Sequence, residues 1–467
     1  MPLTLDDFER DALATLTTYA TIECLSPAFD AHWHDNGHLD AAIELLAQWA
    51  RQRTLQNFKV DVVRIADRTP VLVVTVEATN DDEATVVLYG HMDKQPPLGD
   101  WSEGLSPYAP VRRDDRLFAR GVADDGYSTF AALMALESLE ARAIPHGRCV
   151  VLIEACEESG SPDLEAYLDH LSDHLGRVEL MICLDSGALT YDRLWVTTSL
   201  RGLVGVELTV QVLTRGQHSG SASGVVPSSF RILRQLLDRV EDAATGEILV
   251  EELHGAIPDA AQFAAREIAR EFGDQMYQDL PVVENLALMG DGVAERILNQ
   301  TWRPTLSLVA MAGLPSPESA GNVLRPFTTA LLSFRLPPNV DAARARAALE
   351  RVLTRDVPEG AHVSVRGHGA DGWSSPAIAP WLERALEQAS QEFFGNGVGY
   401  TGEGGTIPFL ASLGRRYPGV QFVATGVLGP DSNAHGIDEM LDLPTCVALT
   451  NVVANVVEAF SHRKDAS

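Results

Sequence analysis

Histidine, aspartate and glutamate recur where apolar segments of this sequence end. The run TVVLYG leads into His91 and Asp93, and the run CVVLIEA leads into Glu157 and Glu158. Residues two apart on an extended strand point the same way, so the first pair could be a metal ligand and its orienting partner. Two adjacent carboxylates at the end of an apolar strand cost desolvation energy unless a cation compensates. These spacings indicate metal chemistry.

Other residues of the same types follow later in the chain. Asp185 ends the apolar run ELMICL, Asp124 and Asp125 precede a predicted helix, and His435 lies in the turn-rich segment GPDSNAHG. Each of them alone is more often a helix cap or a solvated surface residue. Together, carboxylates and two histidines match zinc or a similar divalent ion. The carboxylates are too many for one tetrahedral ion, which favours two metals sharing a bridging ligand.

Strands and helices alternate through the first 200 residues. The runs TVVLYG, CVVLIEA and ELMICL are short, apolar and rich in β-branched residues, which predicts buried strands. Amphipathic patterns predict helices at 39–54, 127–142 and 163–175. The alternation predicts an α/β domain with a parallel or mixed sheet flanked by helices. Ligand sites in such sheets gather at the carboxyl ends of the strands, where the residues above lie.

The pattern changes near residue 200, where alternating polar and apolar residues predict half-exposed strands. The predicted elements are strands at 202–213, PTLSLVAMAG, TTALLSFRL and AHVSVRG, and helices at 227–240 and 341–355. They describe an antiparallel sheet with helices on one face, an α+β domain inserted into the first. The α/β pattern then returns, with a strand at 420–426 and a helix at 442–460. The predicted domains are catalytic at 1–199 and 371–467, and inserted at 200–370.

The composition narrows the class of protein. The chain has 467 residues and a formal net charge of −29, from 36 basic and 65 acidic residues. Such acidity argues against binding nucleic acid or an anionic membrane surface, since both need a basic face. Apolar runs stay below the roughly 18 residues of a membrane span, and the acidic N-terminus differs from an export signal. Five cysteines without CxxC spacing favour buried free thiols, so we expect a cytoplasmic protein.

The motifs H-M-D, A-D-D, E-E, C-L-D and A-H-G, in this order, resemble those of the carnosinase-like dipeptidases. That family lies in the superfamily of co-catalytic zinc metallopeptidases with aminoacylase, carboxypeptidase G and succinyl-diaminopimelate desuccinylase. The resemblance covers essentially the whole chain. It implies hydrolysis of dipeptides or short peptides with a free C-terminal carboxylate. It also implies two Zn²⁺ ions per subunit, with Mn²⁺ or Co²⁺ as alternatives.

The resemblance also assigns roles to residues of the predicted centre. It makes Glu157 the general base, Asp124 the carboxylate that bridges both metals, and Asp93 the partner of the first histidine. The other implied ligands are His91 and Asp185 for one metal, and Glu158 and His435 for the other. The bond after the bridging aspartate is typically cis in the family, so we expect a cis bond between Asp124 and Asp125.

The inserted domain is expected to act as a lid and to carry dimer contacts. His218 in GQHSG matches a histidine that stabilises the oxyanion in the partner subunit, which implies a homodimer sharing its sites. Arg335 in LLSFRLPPN matches the arginine that grips the substrate carboxylate. The other implied substrate-binding residues are Asn322 in SAGNVLRP, and Glu403, Gly405 and Thr406 in GEGGTIP. The chain departs from the family pattern at Gly126, where lysine is usual, and at Gly402, where arginine is common.

The sequence motifs are compatible with alternative functions. The main one is an N-acyl amino acid deacylase or desuccinylase on the same scaffold, because the metal motifs do not distinguish amide substrates. A metal-free binding protein would have lost a ligand, whereas every expected position is filled. A serine hydrolase is disfavoured, since GSASG has alanine at the centre of the nucleophile motif. His170 and His174 lack an H-E-x-x-H pattern and are expected on an ordinary surface helix.

Overall fold

The structure is a computed structural model, and it describes residues 1–278, 280–405 and 408–463. Contacts divide the chain into two compact units. The first unit comprises Met1–Thr198, Ser375–Tyr400 and Ser412–Ser467, and the second comprises Ser199–Ser374 and Thr401–Ala411. The segment Thr401–Ala411, assigned to the catalytic domain from the sequence, thus groups with the second unit.

The strands follow in chain order. They are β1 (Phe58–Val63), β2 (Val71–Val76), β3 (Ala84–His91), β4 (Val111–Arg113), β5 (Arg116–Phe118), β6 (Arg148–Glu154), β7 (Arg177–Cys183), β8 (Trp195–Leu200), β9 (Gly202–Gln211), β10 (Gln217–His218), β11 (Thr305–Ala312), β12 (Val323–Leu324), β13 (Phe327–Leu336), β14 (His362–Ala370), β15 (Trp373–Ser374), β16 (Gly399–Glu403), β17 (Gln421–Ala424) and β18 (Met440–Asp442).

The α-helices range from single turns to the long helix near the end of the chain. They are α1 (Leu5–Phe8), α2 (Ala14–Ala20), α3 (Trp33–Asn36), α4 (His38–Arg51), α5 (Ser128–Ala141), α6 (Leu164–His170), α7 (Ser172–Leu175), α8 (Ser219–Ala222), α9 (Ser229–Leu237), α10 (Asp259–Phe272), α11 (Val293–Thr301), α12 (Ala342–Thr354), α13 (Pro380–Phe393), α14 (Pro408–Arg416) and α15 (Leu443–Ser461).

The main sheet of the first unit has the strand order β1-β2-β6-β3-β7-β17-β8. Its centre is parallel, since β3 runs parallel to β6 and β7, and β17 runs parallel to β7. Strands β2 and β8 join this centre in antiparallel pairs. Every residue of β2 and β3 is buried, as in a sheet flanked by helices. The predicted α/β class with a mixed sheet is confirmed.

Helix α15 is a core helix of the first unit, where it packs against α5 and α13. Apolar residues surround most of its circumference, which is typical of a helix buried on several sides. Length and composition alone would also allow α15 to cross a membrane, since an 18-residue window has a mean hydropathy of 1.4. However, 72% of that window is buried inside the structure. Core helices of folded domains pass the same test.

The second unit contains a four-stranded sheet in the order β11-β13-β9-β14, with antiparallel pairing throughout. Burial alternates along β9 and β13, because one face of the sheet packs against α9 and α12. The core between them is formed by aliphatic side chains and Phe334. Strand β11 lies at the edge of this sheet. The predicted inserted α+β architecture is confirmed.

Some local features differ from the sequence prediction. The helix predicted at 163–175 is divided into α6 and α7, because the backbone at Leu171 leaves helical geometry with φ −95° and ψ 4°. Strands β1 and β2 are absent from the predicted elements. They form an antiparallel pair, from Phe58 opposite Val76 to Val63 opposite Val71. The polar and charged residues within β1 obscure its pattern in the sequence.

Gly90 allows the segment that carries Asp125 to approach strand β3. A Cβ atom at position 90 would lie 2.2 Å from Ser128 Oγ and 2.5 Å from Asp125 Oδ2. The same Asp125 oxygen accepts a hydrogen bond from the backbone N–H of His91 at 3.1 Å. The missing side chain therefore brings the start of α5 against the end of β3.

We expect Gly90→Ala to lower the free energy of unfolding by about 1–3 kcal/mol, because the added methyl group overpacks this contact. Urea denaturation measures the change. Gly147→Ala is the matched control, since a Cβ there meets Ala84 O at an ordinary 3.4 Å. Equal stability of the two variants would contradict the proposed close packing at Gly90.

Candidate metal and catalytic centre

Four neighbouring strands bring the predicted metal ligands to one edge of the main sheet. Strands β6, β3, β7 and β17 are adjacent and parallel, so their carboxyl ends meet there. His91 is the last residue of β3, and Asp185 follows β7 by two residues. The other residues lie in connecting segments: Glu157 and Glu158 in the turn Glu157–Ser159 after β6, Asp124 in the turn Val122–Gly126 before α5, and His435 in the loop after β17.

Asp124 lies between the two histidines. Its Oδ1 is 3.2 Å from His91 Nε2, and its Oδ2 is 2.9 Å from His435 Nε2. The peptide bond between Asp124 and Asp125 is cis, as the family resemblance implies. By these two distances, each carboxylate oxygen of Asp124 faces a different imidazole. A carboxylate shared by two metal positions needs this kind of arrangement.

Two overlapping groups of side chains could each hold a metal ion. The ligand atoms lie within 4.8 Å of one another in each group, which are His91 with Glu157 and Asp185, and His91 with Asp124 and Glu158. His435 adjoins the second group, with Nε2 3.3 Å from Glu158 Oε2. The buried Oε1 of Glu158 has no hydrogen-bond partner within the described part of the chain. This donor set, with an unsatisfied carboxylate oxygen, fits a divalent cation such as Zn²⁺.

The buried carboxylates of this centre favour bound protons or other positive charges. Burial raises the pKa of Glu157 and of Asp185 well above the ordinary range. Burial also opposes ionisation of Asp124, but hydrogen bonds from His435 and His91 outweigh it and lower the pKa of Asp124. Burial would lower the pKa of His435, yet its hydrogen bonds to Asp124 and Glu158 raise it to about 10. A divalent cation would supply the same positive charge.

Asp93 contacts both the first histidine and the turn that carries the paired glutamates. His91 Nδ1 lies 3.1 Å from the carbonyl oxygen of Asp93 and 3.6 Å from its Oδ1. The Asp93 carboxylate also accepts hydrogen bonds from the backbone N–H groups of Glu157 and Glu158, at 3.1 and 3.0 Å. Only the contact with the histidine was expected from the sequence. Asp93 therefore fixes the main chain at the proposed base as well.

The remaining predicted residues lie in the second unit, where strand pairing brings two of them together. Strand β10 pairs with β12, which places His218 opposite Val323. The backbone N–H of Ser219 donates to the carbonyl oxygen of Asn322 at 2.9 Å. His218 and Asn322 are both exposed to solvent. Residues about a hundred positions apart in the chain thus become neighbours.

Arg335, near the end of β13, lies close to a second arginine. Arg201 donates from Nε to Gly404 O and from Nη1 to Thr305 Oγ1, both at 3.2 Å. Burial, and then the positive charge of Arg335, lowers the pKa of Arg201 to about 10. Arg201 is absent from the predicted set, although it directly follows the buried end of β8, as His91 follows an apolar run.

The loop GEGGTIP begins at the end of β16, with Glu403 as the last residue of that strand and Gly405 just beyond it. Thr406 lies outside the described residues. A Cβ atom at Gly402 would lie 2.5 Å from Ser199 Oγ and 3.2 Å from Thr301 Cβ. The arginine common in the family at this position would therefore displace its neighbours. The small space at position 402 therefore agrees with the glycine found in this chain.

The profile of the Peptidase family M20/M25/M40 matches residues 87–459. This chain belongs to that family of metallopeptidases, and it is a hydrolase. The resemblance inferred from the sequence motifs is confirmed. Metal dependence, a property of the family, agrees with the candidate ligands described above.

Similar proteins cover most of the chain. A cysteinylglycine-S-conjugate dipeptidase from Corynebacterium striatum is 25% identical over 403 residues, which are 85% of this chain and 86% of that protein. A Cys-Gly metallodipeptidase from Saccharomyces cerevisiae is 24% identical over 414 residues, 84% of this chain and 82% of that protein. The solved structure of an M20 family metallo-carboxypeptidase from Sulfolobus solfataricus aligns with a TM-score of 0.77 at 19% identity, covering 96% of this chain and 99% of that one. The last likeness establishes the fold.

Glu154, the last residue of β6, is a buried carboxyl opposite His91 in the sheet register. Its Oε1 accepts hydrogen bonds from the Tyr89 hydroxyl and, at 2.9 Å, from Ser161 Oγ. Burial raises the pKa of Glu154 to about 7. Glu154 is absent from the predicted site because it lies within the apolar run CVVLIEA, whose pattern indicates only a strand.

We expect Glu154→Gln to flatten the pH dependence of stability. The folded pKa of about 7 exceeds the ordinary value of 4.5, so this carboxyl favours folding below pH 4.5 and loses that contribution as the pH rises to 7. At about 1.4 kcal/mol per pH unit, the loss is at most about 3 kcal/mol. Glutamine keeps an oxygen for Tyr89 and Ser161.

Urea unfolding of both proteins at pH 5 and pH 8, after treatment with a chelator, measures this difference. The wild-type protein should lose more stability between the two pH values than Glu154→Gln does. The same loss in both proteins would show that Glu154 is ionised at pH 5 in the folded state.

Proposed function

We propose that this chain hydrolyses dipeptides or short peptides with a free C-terminal carboxylate, using two divalent metal ions, in the first instance Zn²⁺. The position of Asp124 carries this proposal, since its two oxygens face His91 and His435 at 3.2 and 2.9 Å. One histidine on each side of a shared carboxylate matches two metal positions with a common ligand. Mn²⁺ and Co²⁺ remain alternatives, because these donors discriminate weakly among such ions.

The proposed ligands divide between two positions. His91 and Asp185, which leave β3 and β7, would hold one ion together with Asp124. Glu158 and His435 would hold the other ion, again with Asp124. The 3.3 Å separation of His435 Nε2 from Glu158 Oε2 supports the second position.

When bound, the two ions supply Lewis-acid polarisation of the scissile carbonyl and a water of lowered pKa. Glu157 is the proposed general base, which takes a proton from the attacking water. The water oxygen bonds to the carbonyl carbon, the carbon–nitrogen bond breaks, and Glu157 returns the proton to the leaving amine.

The second unit supplies the proposed recognition of the substrate. Arg335 would hold the C-terminal carboxylate, for which the planar guanidinium is well suited. The neighbouring guanidinium of Arg201 adds positive charge to the same part of the unit. The other proposed substrate-binding residues are Asn322, Glu403, Gly405 and Thr406.

We also propose a homodimer formed through the second unit, in which His218 of each subunit stabilises the oxyanion in the site of the other. Strand β11 supports a subunit contact, because it is an edge strand with exposed Leu308, Val309 and Met311 side chains. An exposed apolar edge strand readily pairs with another chain. All five cysteines are free and buried, which supports the proposed cytoplasmic location.

The names of the similar proteins support a dipeptide substrate. The relatives from Corynebacterium striatum and Saccharomyces cerevisiae are both dipeptidases, and their names specify cysteinylglycine S-conjugates and Cys-Gly, respectively. This chain covers more than four-fifths of each. Cysteinylglycine and related dipeptides are therefore the first substrates to test.

A substrate panel tests the reaction class. Dipeptides, tripeptides, dipeptide C-terminal amides and N-acyl amino acids are assayed with Zn²⁺- and Mn²⁺-loaded enzyme and with chelator-treated enzyme. We expect dipeptides to be cleaved with the highest kcat/KM. The kcat/KM of the dipeptide amides should be about 10–100-fold lower, because the amides lack the charged carboxylate that Arg335 would bind. Preferential cleavage of N-acyl amino acids would favour the deacylase alternative instead.

Mixing two inactive variants tests the shared site. Glu157→Gln should abolish turnover while retaining two metal ions per chain, and His218→Ala should lower turnover sharply without metal loss. A mixed dimer has one site with both an intact base and an intact histidine from the other subunit. Random exchange of subunits should therefore restore about a quarter of wild-type activity.

Each variant mixed with itself is the control for this experiment, and native mass spectrometry verifies the exchange. Verified mixed dimers that remain inactive would contradict the shared site. They would leave the metal positions and the role of Glu157 unaffected.

A further inference from the structure

A buried ion pair of Glu439 and Arg120 lies beside the candidate centre and has no part in the proposed chemistry. Arg120 Nη1 is 2.8 Å from Glu439 Oε2, and the two side chains are 1% and 0% exposed. Removing two charges from water is costly, so a buried ion pair is weak evidence for stability by itself. The other groups that its polar atoms bind therefore indicate its role.

The carboxylate of Glu439 holds the segment that leads to Asp124. Its Oε2 accepts a hydrogen bond from Gly121 N at 2.9 Å. Its Oε1 accepts hydrogen bonds from Ala123 N at 3.0 Å and from Asp124 N at 3.2 Å. The main chain from which the Asp124 side chain projects is therefore fixed by a single carboxylate.

Arg120 extends the same network to the histidine loop. Its Nη2 donates a hydrogen bond to the carbonyl oxygen of Gly436, the residue after His435. Backbone φ is +62° at His435 and +49° at Asn433, in the left-handed region that non-glycine residues seldom adopt. The backbone preferences of these residues therefore do not determine the path of the loop. Tertiary contacts, such as the hydrogen bond from Arg120 to Gly436, must hold it.

Strand pairing places the ion pair between the two loops. Strands β18 and β5 are antiparallel, with Met440 opposite Phe118. The pairing continues beyond the strands, where Ala119 N donates to Glu439 O at 3.2 Å. Glu439 thus lies directly across from the beginning of the segment that ends in Asp124.

We propose that Glu439 and Arg120 are positioning residues that set Asp124 relative to His435. The affinity of the metal position to which His435 contributes then depends on this pair. The inference rests on the two-metal function proposed above. Neither side chain of the pair is a proposed ligand, so both act through the main chain.

The other metal position should depend less on the ion pair. His91 and Asp185 leave directly from β3 and β7, so the main sheet sets their positions. Loss of the ion pair should therefore weaken the two metal positions unequally. A role in stability alone would give no reason for such a difference.

Glu439→Gln is the first test variant. The glutamine oxygen can still accept from Ala123 N and Asp124 N, but the amide would meet Gly121 N and Arg120 as donor against donor. We expect one Zn²⁺ ion to bind as in the wild type and the second about 10–100-fold more weakly, the range found for residues that orient ligands. Competition with a chromophoric chelator measures both affinities, and Co²⁺ absorption spectra report the ligand geometry.

Arg120→Lys is the second test variant, and it keeps a positive charge for Glu439. Lysine lacks the second nitrogen of the fork that reaches the carbonyl of Gly436. We expect the same selective weakening of one ion. The kcat of the enzyme at saturating metal should recover toward the wild-type value, because added metal offsets a lost affinity.

Asp82→Asn is the matched control, since it removes a buried ion pair of the same unit, that of Asp82 with Arg463. Asp82 lies two residues before the start of β3, whereas His91 is at the opposite end of that strand. This control variant should bind both metal ions as the wild type does. Thermal unfolding of all variants shows how much general stability each change removes.

The possible outcomes separate this inference from the function on which it rests. A wild-type protein that binds a single ion would contradict the two-metal function itself. If the wild type binds two ions, then unchanged affinities, or equal weakening of both, in Glu439→Gln and Arg120→Lys would overturn the positioning role. Arg120→Lys decides the matter if Glu439→Gln does not fold, and failure of both variants to fold would assign the pair to stability alone.

Discussion

Buried negative charge at the carboxyl edge of the main sheet is the constraint on which the rest of this structure depends. Burial raises the pKa of Glu157, Glu158 and Asp185, so the scaffold holds these carboxylates where ionisation is costly. Such a cluster persists when protons or cations enter it. Divalent cations would relieve the repulsion among the carboxylates and leave Glu157 free to accept a proton. The burial of several carboxylates together thus accounts both for the electrostatic cost of the cluster and for its proposed chemistry.

Hydrogen bonds to the main chain order the loops that carry this charge. Asp93 binds the N–H groups of Glu157 and Glu158, and Glu439 binds those of the segment that ends in Asp124. Both are carboxylates outside the proposed ligand set. Hydrogen bonds from backbone N–H groups stabilise the charge of these two carboxylates without adding a positive charge to the site. Negative charge around the centre can therefore order its loops while the proposed ligands remain available to cations.

The sequence predicts the parts of this arrangement that are local. Apolar runs that end in His91, Glu157 or Asp185 indicate both the strands and the convergence of these residues, because the carboxyl ends of parallel strands share an edge. Contacts set by tertiary register were beyond such reasoning. Glu439 reaches the Asp124 segment only through the pairing of β18 with β5. The capping of the glutamate turn by Asp93 depends on the exact path of the main chain after β6.

The proposed chemistry and the proposed substrate recognition belong to different units of the chain. The proposed ligands and base lie in the first unit and suit any amide bond, so they do not distinguish a dipeptide from an N-acyl amino acid. The proposed recognition groups Arg335 and Arg201 belong to the second unit. Arg201 stays protonated at neutral pH even with its pKa lowered to about 10. Two neighbouring guanidinium groups favour an anionic part of the substrate, and both substrate classes carry a carboxylate. Selectivity between them therefore depends on the group beyond the scissile bond.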